Sequence, residues 1–157
     1  MGRKLDLTEA KQRAARFCAF QERSPKEIFD KLKSWGVPKE QINEVVHQLI
    51  DQDFVNAQRF ANAFCNDKFE FNSWGKQKIK AALFPHQLDS LVVEAALDRI
   101  DSEKYERRIL ELAKKKWESL TEEDESKKKQ KTLAYLANKG FESDFIWKAI
   151  HQMKEDN

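Results

Sequence analysis

One stretch of this chain is written twice. Leu32, Gly36, Val37, Ile42, Val46, His47, Gln48 and Leu49 recur as Leu136, Gly140, Phe141, Ile146, Ile150, His151, Gln152 and Met153, each 104 positions later (136 − 32, 151 − 47). Five of these pairs are identical and three exchange one apolar residue for another. A constant offset over such a span marks a repeated structural unit. Half of 104 is 52, and a fainter copy lies in between at an offset of 51. Ile28, Leu32, Val37, Ile42, Val46 and Leu49 correspond to Ile79, Leu83, Leu88, Val93, Leu97 and Ile100 (79 − 28, 100 − 49). In this middle copy Gln87 stands where the glycine would fall. The chain therefore folds as three units of about 50 residues, an organisation that usually presents a surface to a partner.

Each unit reads as helix, helix, helix. Ala10, Ala14, Phe17 and Cys18 share one helical face with Lys11, Arg13 and Arg16 off it, which predicts a helix from Thr8 to Gln21. Ser24-Pro25-Lys26-Glu27 combines an N-cap serine, a proline at the first helical position and a glutamate able to reach back to the cap amide. The helix it opens carries Ile28 and Leu32 and stops at Gly36, since glycine tolerates the left-handed conformation that ends helices. Pro38 opens a third helix with Ile42, Val45, Val46 and Leu49 inward, and the unit closes near Asp53.

The second unit repeats the plan with Phe60, Ala61, Phe64 and Cys65, then Ser73-Trp74-Gly75 before Ile79 and Leu83, then Pro85 before Leu88, Val92, Val93, Ala96, Leu97 and Ile100. The third begins at Asp101 or Ser102 with Tyr105, Ile109, Leu112 and Ala113 inward. Thr121-Glu122-Glu123-Asp124 then places acids where a helix dipole favours them. A basic helix runs to Asn138 and stops at Gly140, and a last helix buries Phe145, Ile146, Ala149, Ile150 and Met153. No alternating apolar segment predicts a strand. The expected fold is all-α: three tandem three-helix, helix-turn-helix-like repeats over 8–54, 55–101 and 102–155, stacked into an elongated, curved monomer.

The inventory argues against catalysis. His47 and His151 occupy equivalent repeat positions, so the repeat explains them, and with His86 they form no H-E-x-x-H pattern. Cys18 and Cys65 lie on apolar helix faces and make neither a disulfide framework nor a metal motif, which suits a reducing cytoplasm. No phosphate-binding G-x-x-x-x-G-K-[ST] loop is present. No catalytic, metal or cofactor-binding residue is expected. No apolar run reaches the roughly 18 residues that span a bilayer, and Met1 to Thr8 lacks the apolar core of a signal peptide. The charged fraction, 36% against roughly 25% in ordinary domains, suits exposed helices.

At a net charge of +2, only local clustering can argue for a partner. Lys68, Lys76, Lys78 and Lys80 face Glu70 alone between positions 68 and 83, with Phe69, Phe71 and Trp74 interleaved. Lys127, Lys128, Lys129, Lys131 and Lys139 form an acid-free run. Basic residues among aromatics suit phosphate backbones or acidic protein grooves, and equally suit a solvated helix face. A DNA-reading role for the third helix of the first unit is disfavoured, because Glu40, Glu44, Asp51 and Asp53 outweigh Lys39.

Several of these segments resemble the RecX regulatory family. Glu22-Arg23-Ser24 with Lys31-Leu32 and Gly36 looks like its first repeat, and Arg59-Phe60-Ala61 like its D-D-x-R-F-A segment. Trp74-Gly75 with Lys78-Ile79 resembles the next motif, and Lys139-Gly140-Phe141 the late R-G-F element. Asn56 and Ala57 depart from the acidic pair, Gln87 from the glycine and Lys139 from the arginine. The resemblance implies a non-enzymatic regulator that binds the RecA filament on single-stranded DNA and restrains its extension, ATP hydrolysis and strand exchange. On that reading Arg59, Lys68, Lys76, Lys78 and Lys80 are the candidate partner-binding residues. The alternative is a helical nucleic-acid-binding module that contacts DNA directly.

Overall fold

A computed structural model describes residues 5–122 and 124–156. Among them are nine α-helices and no strand: α1 (Leu7–Phe20), α2 (Pro25–Ser34), α3 (Lys39–Asp51), α4 (Ala57–Asn72), α5 (Lys76–Leu83), α6 (Ser90–Asp98), α7 (Ser102–Ser119), α8 (Glu125–Asn138) and α9 (Ser143–Glu155). A single 3₁₀ turn at Phe84–His86 follows α5. The fold is the expected all-α tandem of three-helix repeats. Among the described residues no helix is long and apolar enough to cross a membrane.

By compactness the chain divides into two units. One holds the chain up to Phe64 together with Leu83–Glu94; the other holds Cys65–Ala82 together with Ala95 onward. The boundary cuts α4, α5 and α6, so the second repeat is shared between the units.

In the first unit Ala10 and Ala14 of α1, Ile28 and Leu32 of α2, Ile42, Val45 and Leu49 of α3, and Val37 and Val55 form one core. The predicted capping box starts α2. Ser24 Oγ accepts from the Glu27 amide at 3.1 Å, and Glu27 Oε1 accepts from the Ser24 amide at 3.0 Å. Ser24 is fully buried, and its hydroxyl lies 2.8 Å from His86 Nδ1. Phe60 and Phe64 hold the imidazole by ring contacts at 4.7 and 5.9 Å.

In the second unit α7, α8 and α9 pack around Tyr105, Ile109, Ala113, Leu136, Phe141, Ile146, Ile150 and Met153, all buried. Asp101 caps α7 and Asp124 caps α8 through side-chain oxygens, accepting from Lys104 N and Ser126 N. Of the acidic run ahead of α8, Glu122 pairs with Lys131. Glu123 lies outside the described residues, as do Met1 to Lys4 of the segment read for a signal peptide.

The repeat survives in backbone geometry more faithfully than in sequence. Gly36 and Gly140 adopt φ of +83° and +95°, and Gln87, at the equivalent position, adopts φ of +53°. Around both glycines the hydrogen bonds match: Val37 N to Leu32 O and Phe141 N to Leu136 O are each 3.2 Å, and Gly36 N to Lys33 O and Gly140 N to Ala137 O are each 3.0 Å. These are the two bonds of a Schellman cap, and the apolar pair that accompanies the motif is buried in both copies. At the middle copy Gln87 N bonds Phe84 O at 3.1 Å across a turn shortened by Pro85.

Candidate partner-binding surface

The second unit brings two distant segments into backbone contact. Helix α5 begins against the loop that follows α8. The Gly75 amide donates to Lys139 O at 2.7 Å and the Gln77 amide to Gly140 O at 3.0 Å. Between them the Lys76 amide donates to the Tyr105 hydroxyl at 2.9 Å. That hydroxyl in turn donates to Glu142 Oε1. Burial pushes the Tyr105 phenol well above the usual tyrosine range, and the Glu142 carboxylate beside it adds to the effect, so Tyr105 stays a neutral donor. Only glycines permit so close an approach. A Cβ on Gly75 would meet the backbone of Gly140 and Phe141, and one on Gly140 would meet the backbone and Cβ of Lys78. Three amides at the start of α5, those of Gly75, Lys76 and Gln77, are therefore taken within the protein.

The joint fixes where the lysines of α5 project. Lys78 Nζ lies 4.7 Å from the centre of the Trp74 ring and Lys68 Nζ, from α4, lies 4.9 Å from it, so one half-buried indole gathers two cations. Lys76 Nζ lies 5.2 Å from the Tyr105 ring, and Lys80 is exposed on the same short helix. Lys139 joins them. Its own burial pulls its ammonium below the ordinary lysine value, and the charge of Lys78 pulls further in the same direction. Lys68 and Lys78 thus share the Trp74 ring, while Lys76 and Lys80, at i and i+4, lie together on a different side of α5, with Lys76 against Tyr105.

Arg59 belongs to the first unit, and its guanidinium is taken up there. Nε donates to Glu22 Oε1 at 2.5 Å, Nη1 to Asp53 Oδ1 at 3.1 Å, and Nη2 to the carbonyls of Asp53 and Phe54 at 3.0 and 3.4 Å. Asp53 has a φ of +63°, so Arg59 ties down a left-handed turn at the end of α3. The hydrogen bond to Glu22 raises the Arg59 pKa further. Asn56, one of the departures from the family's acidic pair, keeps a cap: its Oδ1 accepts from the Arg59 amide at 2.8 Å.

Arg108 plays the matching part in the second unit, and the sequence reading missed it. Its Nη1 donates to Phe69 O at 2.9 Å and to Ser73 Oγ at 3.0 Å, and its guanidinium stacks 4.7 Å from the Phe69 ring. Ser73 is another left-handed residue, with φ of +54°. Glu70 completes the cluster through Lys104 at 2.8 Å and Arg108 at 3.5 Å. The hydrogen bond from Lys104 holds its carboxyl below the usual glutamate range.

Burial pushes the Cys65 thiol up to about 12 and raises Cys18 as well, so both remain thiols near neutral pH. His47 and His151 are exposed on their helices. Among the described residues no group of His, Cys, Asp and Glu could hold a metal ion.

Three family models match the chain in order: the RecX first three-helix domain over residues 10–49, the second over 56–97 and the third over 103–150. Together they account for most of its length. The chain belongs to the RecX family. It is 29% identical over 153 residues to the regulatory protein RecX of Acinetobacter baylyi, covering 96% of this chain and 93% of that one. It is also 29% identical over 137 residues to the regulatory protein RecX of Oceanobacillus iheyensis, of which it spans 50%. Among solved structures, RecX from Lactobacillus salivarius superposes with a TM-score of 0.88 at 25% identity, covering 94% of this chain and 96% of that one. The two family motifs read from the sequence, Trp74-Gly75 with Lys78 and Lys139-Gly140-Phe141, are the two sides of the α5 joint.

Proposed function

We propose that this protein is a non-enzymatic regulator that binds the RecA filament on single-stranded DNA and restrains filament extension, ATP hydrolysis and strand exchange. The relatives' name, regulatory protein RecX, supports the regulatory class. The observation that supports a surface is the pairing of Lys68 and Lys78 on the Trp74 ring beside a glycine-glycine joint, with Lys76, Lys80 and Lys139 carried by the same joint and helix. Lys68, Lys76, Lys78 and Lys80 are the residues assigned to contact. Arg59 contributes by holding the turn after α3 through Glu22 and Asp53. Several weak cationic contacts held in fixed relation act together, so inhibition depends on the set more than on any one lysine.

Changing Lys76, Lys78 and Lys80 together to glutamate tests this. The triple variant keeps its helix content and loses inhibition of the RecA ATPase on single-stranded DNA; a folded variant that inhibits as well as the parent removes the surface from the account.

A second reading draws on the same lysines. Their placement around an indole also suits a single-stranded DNA backbone, in which case the protein binds DNA without RecA and does so less tightly as salt rises, because counterions are released on binding. The Trp74 ring is already approached by two ammonium groups, so base stacking there requires displacing them, and this favours the protein partner. Titration on bare single-stranded DNA at two salt concentrations separates the readings.

A further inference from the structure

The second unit carries another basic-aromatic feature, distinct from the α5 surface. Between α8 and α9 lies a cavity of about 380 Å³ lined by Lys129, Trp147, Lys148, Ile150, His151 and Lys154. Among the described residues no acidic one lines it. Trp147 is 47% exposed, and Lys129 Nζ lies 5.9 Å from its ring. Beside it Trp117 is approached by Lys128 at 4.6 Å and by Lys154 at 5.9 Å.

Basic side chains of this cavity already contact carboxylates at its edge. Lys154 pairs with Glu125 at 2.7 Å, Lys148 with Glu106 at 2.8 Å and His151 with Glu155 at 3.3 Å. Glu125 shows the local preference most clearly. Its carboxyl is held below the usual glutamate range, first by the Lys154 hydrogen bond and charge and then by Lys129 and Lys128, although its side chain is 67% exposed. Lys154 therefore holds a carboxylate in direct contact, with the charges of Lys129 and Lys128 nearby favouring it in the same direction. Exposed ion pairs gain little net free energy, so an incoming carboxylate can exchange with Glu125 without great loss.

We propose that this cavity is a docking site for an acidic peptide segment of a protein partner, with its carboxylates received by Lys129 and Lys154 and an apolar side chain laid on Trp147. A half-exposed tryptophan ringed by charges has the form of an interface anchor. A nucleic acid fits less well. Its evenly spaced phosphates must pass the rim acids Glu106, Glu125 and Glu155, whereas a short peptide places one or two negative charges where lysines already accept them. The inference does not depend on the α5 lysines or on the identity of the partner proposed above.

The test uses the full chain and a blocked pentapeptide with four acidic residues about a central leucine. A pentathymidylate of the same formal charge is the comparison, and the Trp147 indole N–H resonance is the readout, assigned by Trp147→Phe. The peptide is expected to shift that resonance and to bind more tightly than the oligonucleotide. Lys129→Gln should weaken peptide binding about threefold, and Glu125→Gln, which releases Lys154, should tighten it by about twofold. Opposite effects from two neutralising changes on one helix cannot come from a general loss of structure. Equal or tighter oligonucleotide binding, an unmoved Trp147 resonance, or Gln variants without these opposite effects would overturn the proposal. A shift at Trp74 instead of Trp147 would also overturn it. The Lys76, Lys78 and Lys80 triple variant should bind the peptide unchanged, so failure here and failure of the proposed function are told apart.

Discussion

Three glycines that matter for three different reasons give a graded test of how the α5 surface is built. At Gly36 a Cβ would meet nothing within 4 Å, but the backbone sits at φ +83°. Gly36→Ala therefore carries only the left-handed penalty, about 1–2 kcal/mol. Gly75 has no such backbone strain. Its problem is proximity, because the added methyl would meet the Gly140 carbonyl and the Phe141 amide. To make room, the start of α5 must withdraw from the three bonds that Gly75, Lys76 and Gln77 donate. At about 0.5–1.5 kcal/mol net for each bond, Gly75→Ala loses about 2–4 kcal/mol, offset by less than about 1 kcal/mol from the stiffer unfolded chain. Gly140 combines φ +95° with contact against the Lys78 backbone, so Gly140→Ala should be worst, at about 3–5 kcal/mol. Urea unfolding followed by far-ultraviolet circular dichroism measures all three at a common slope. The expected order of loss is Gly140→Ala, then Gly75→Ala, then Gly36→Ala. A near-neutral Gly75→Ala, or a Gly36→Ala as damaging as Gly140→Ala, would refute the close backbone approach on which the surface depends.

The other predictions concern single positions. Gln87→Gly relieves a left-handed glutamine at φ +53° and should raise stability by about 0.5–1 kcal/mol, read as a higher urea midpoint. Arg59→Ala should lose about 1–3 kcal/mol by abandoning two carboxylates and two backbone carbonyls, a figure kept low because the side chain is 37% exposed. Arg59→Lys should recover little of that loss, since one ammonium cannot match the guanidinium fork; full recovery would show that charge alone matters. Glu70 has a folded pKa below its unfolded value of about 4.5, so its contribution is fully present above that pH and fades as pH falls through the lowered folded value. Thermal unfolding of Glu70→Gln should accordingly differ from the parent at pH 7 and converge with it in acid; an equal difference at both ends would exclude that linkage.

Much of the architecture is legible in the residues because helices are local. The Ser24-to-Glu27 capping box, the Pro38 and Gly36 boundaries and the apolar faces at three- and four-residue spacing depend on neighbours along the chain, and helix ends such as Leu7–Phe20 fall within a residue or so of the expectation. The repeat also announces Gln87 as a lost glycine. It does not announce that the left-handed turn persists there, because that depends on how firmly the surrounding helices impose the turn.

The candidate surface is only half legible. Lys68, Trp74 and Lys78 are close in sequence, and their proximity in space follows from one turn between two helices. Lys139 and Tyr105 join them across long separations that no local pattern encodes. The one available hint was Tyr105 itself, an inward-facing phenol whose hydroxyl needs a partner when buried. Arg59 illustrates the converse. Its motif marks it as important, but its engagement with Glu22 and Asp53 comes from tertiary packing, and the motif alone could not distinguish a holding role from a touching one.

The central claim is that an unbroken α5 joint presents lysines to a RecA filament. Its most direct test is the RecA ATPase on single-stranded DNA with the protein titrated in, beside the Lys76, Lys78 and Lys80 triple glutamate variant. The account predicts a dose-dependent fall in hydrolysis with the parent, beginning below stoichiometric amounts if filament ends are the target, and a much weaker fall with the folded variant. Hydrolysis unchanged by the parent at every dose, or inhibited equally by both proteins, would contradict it.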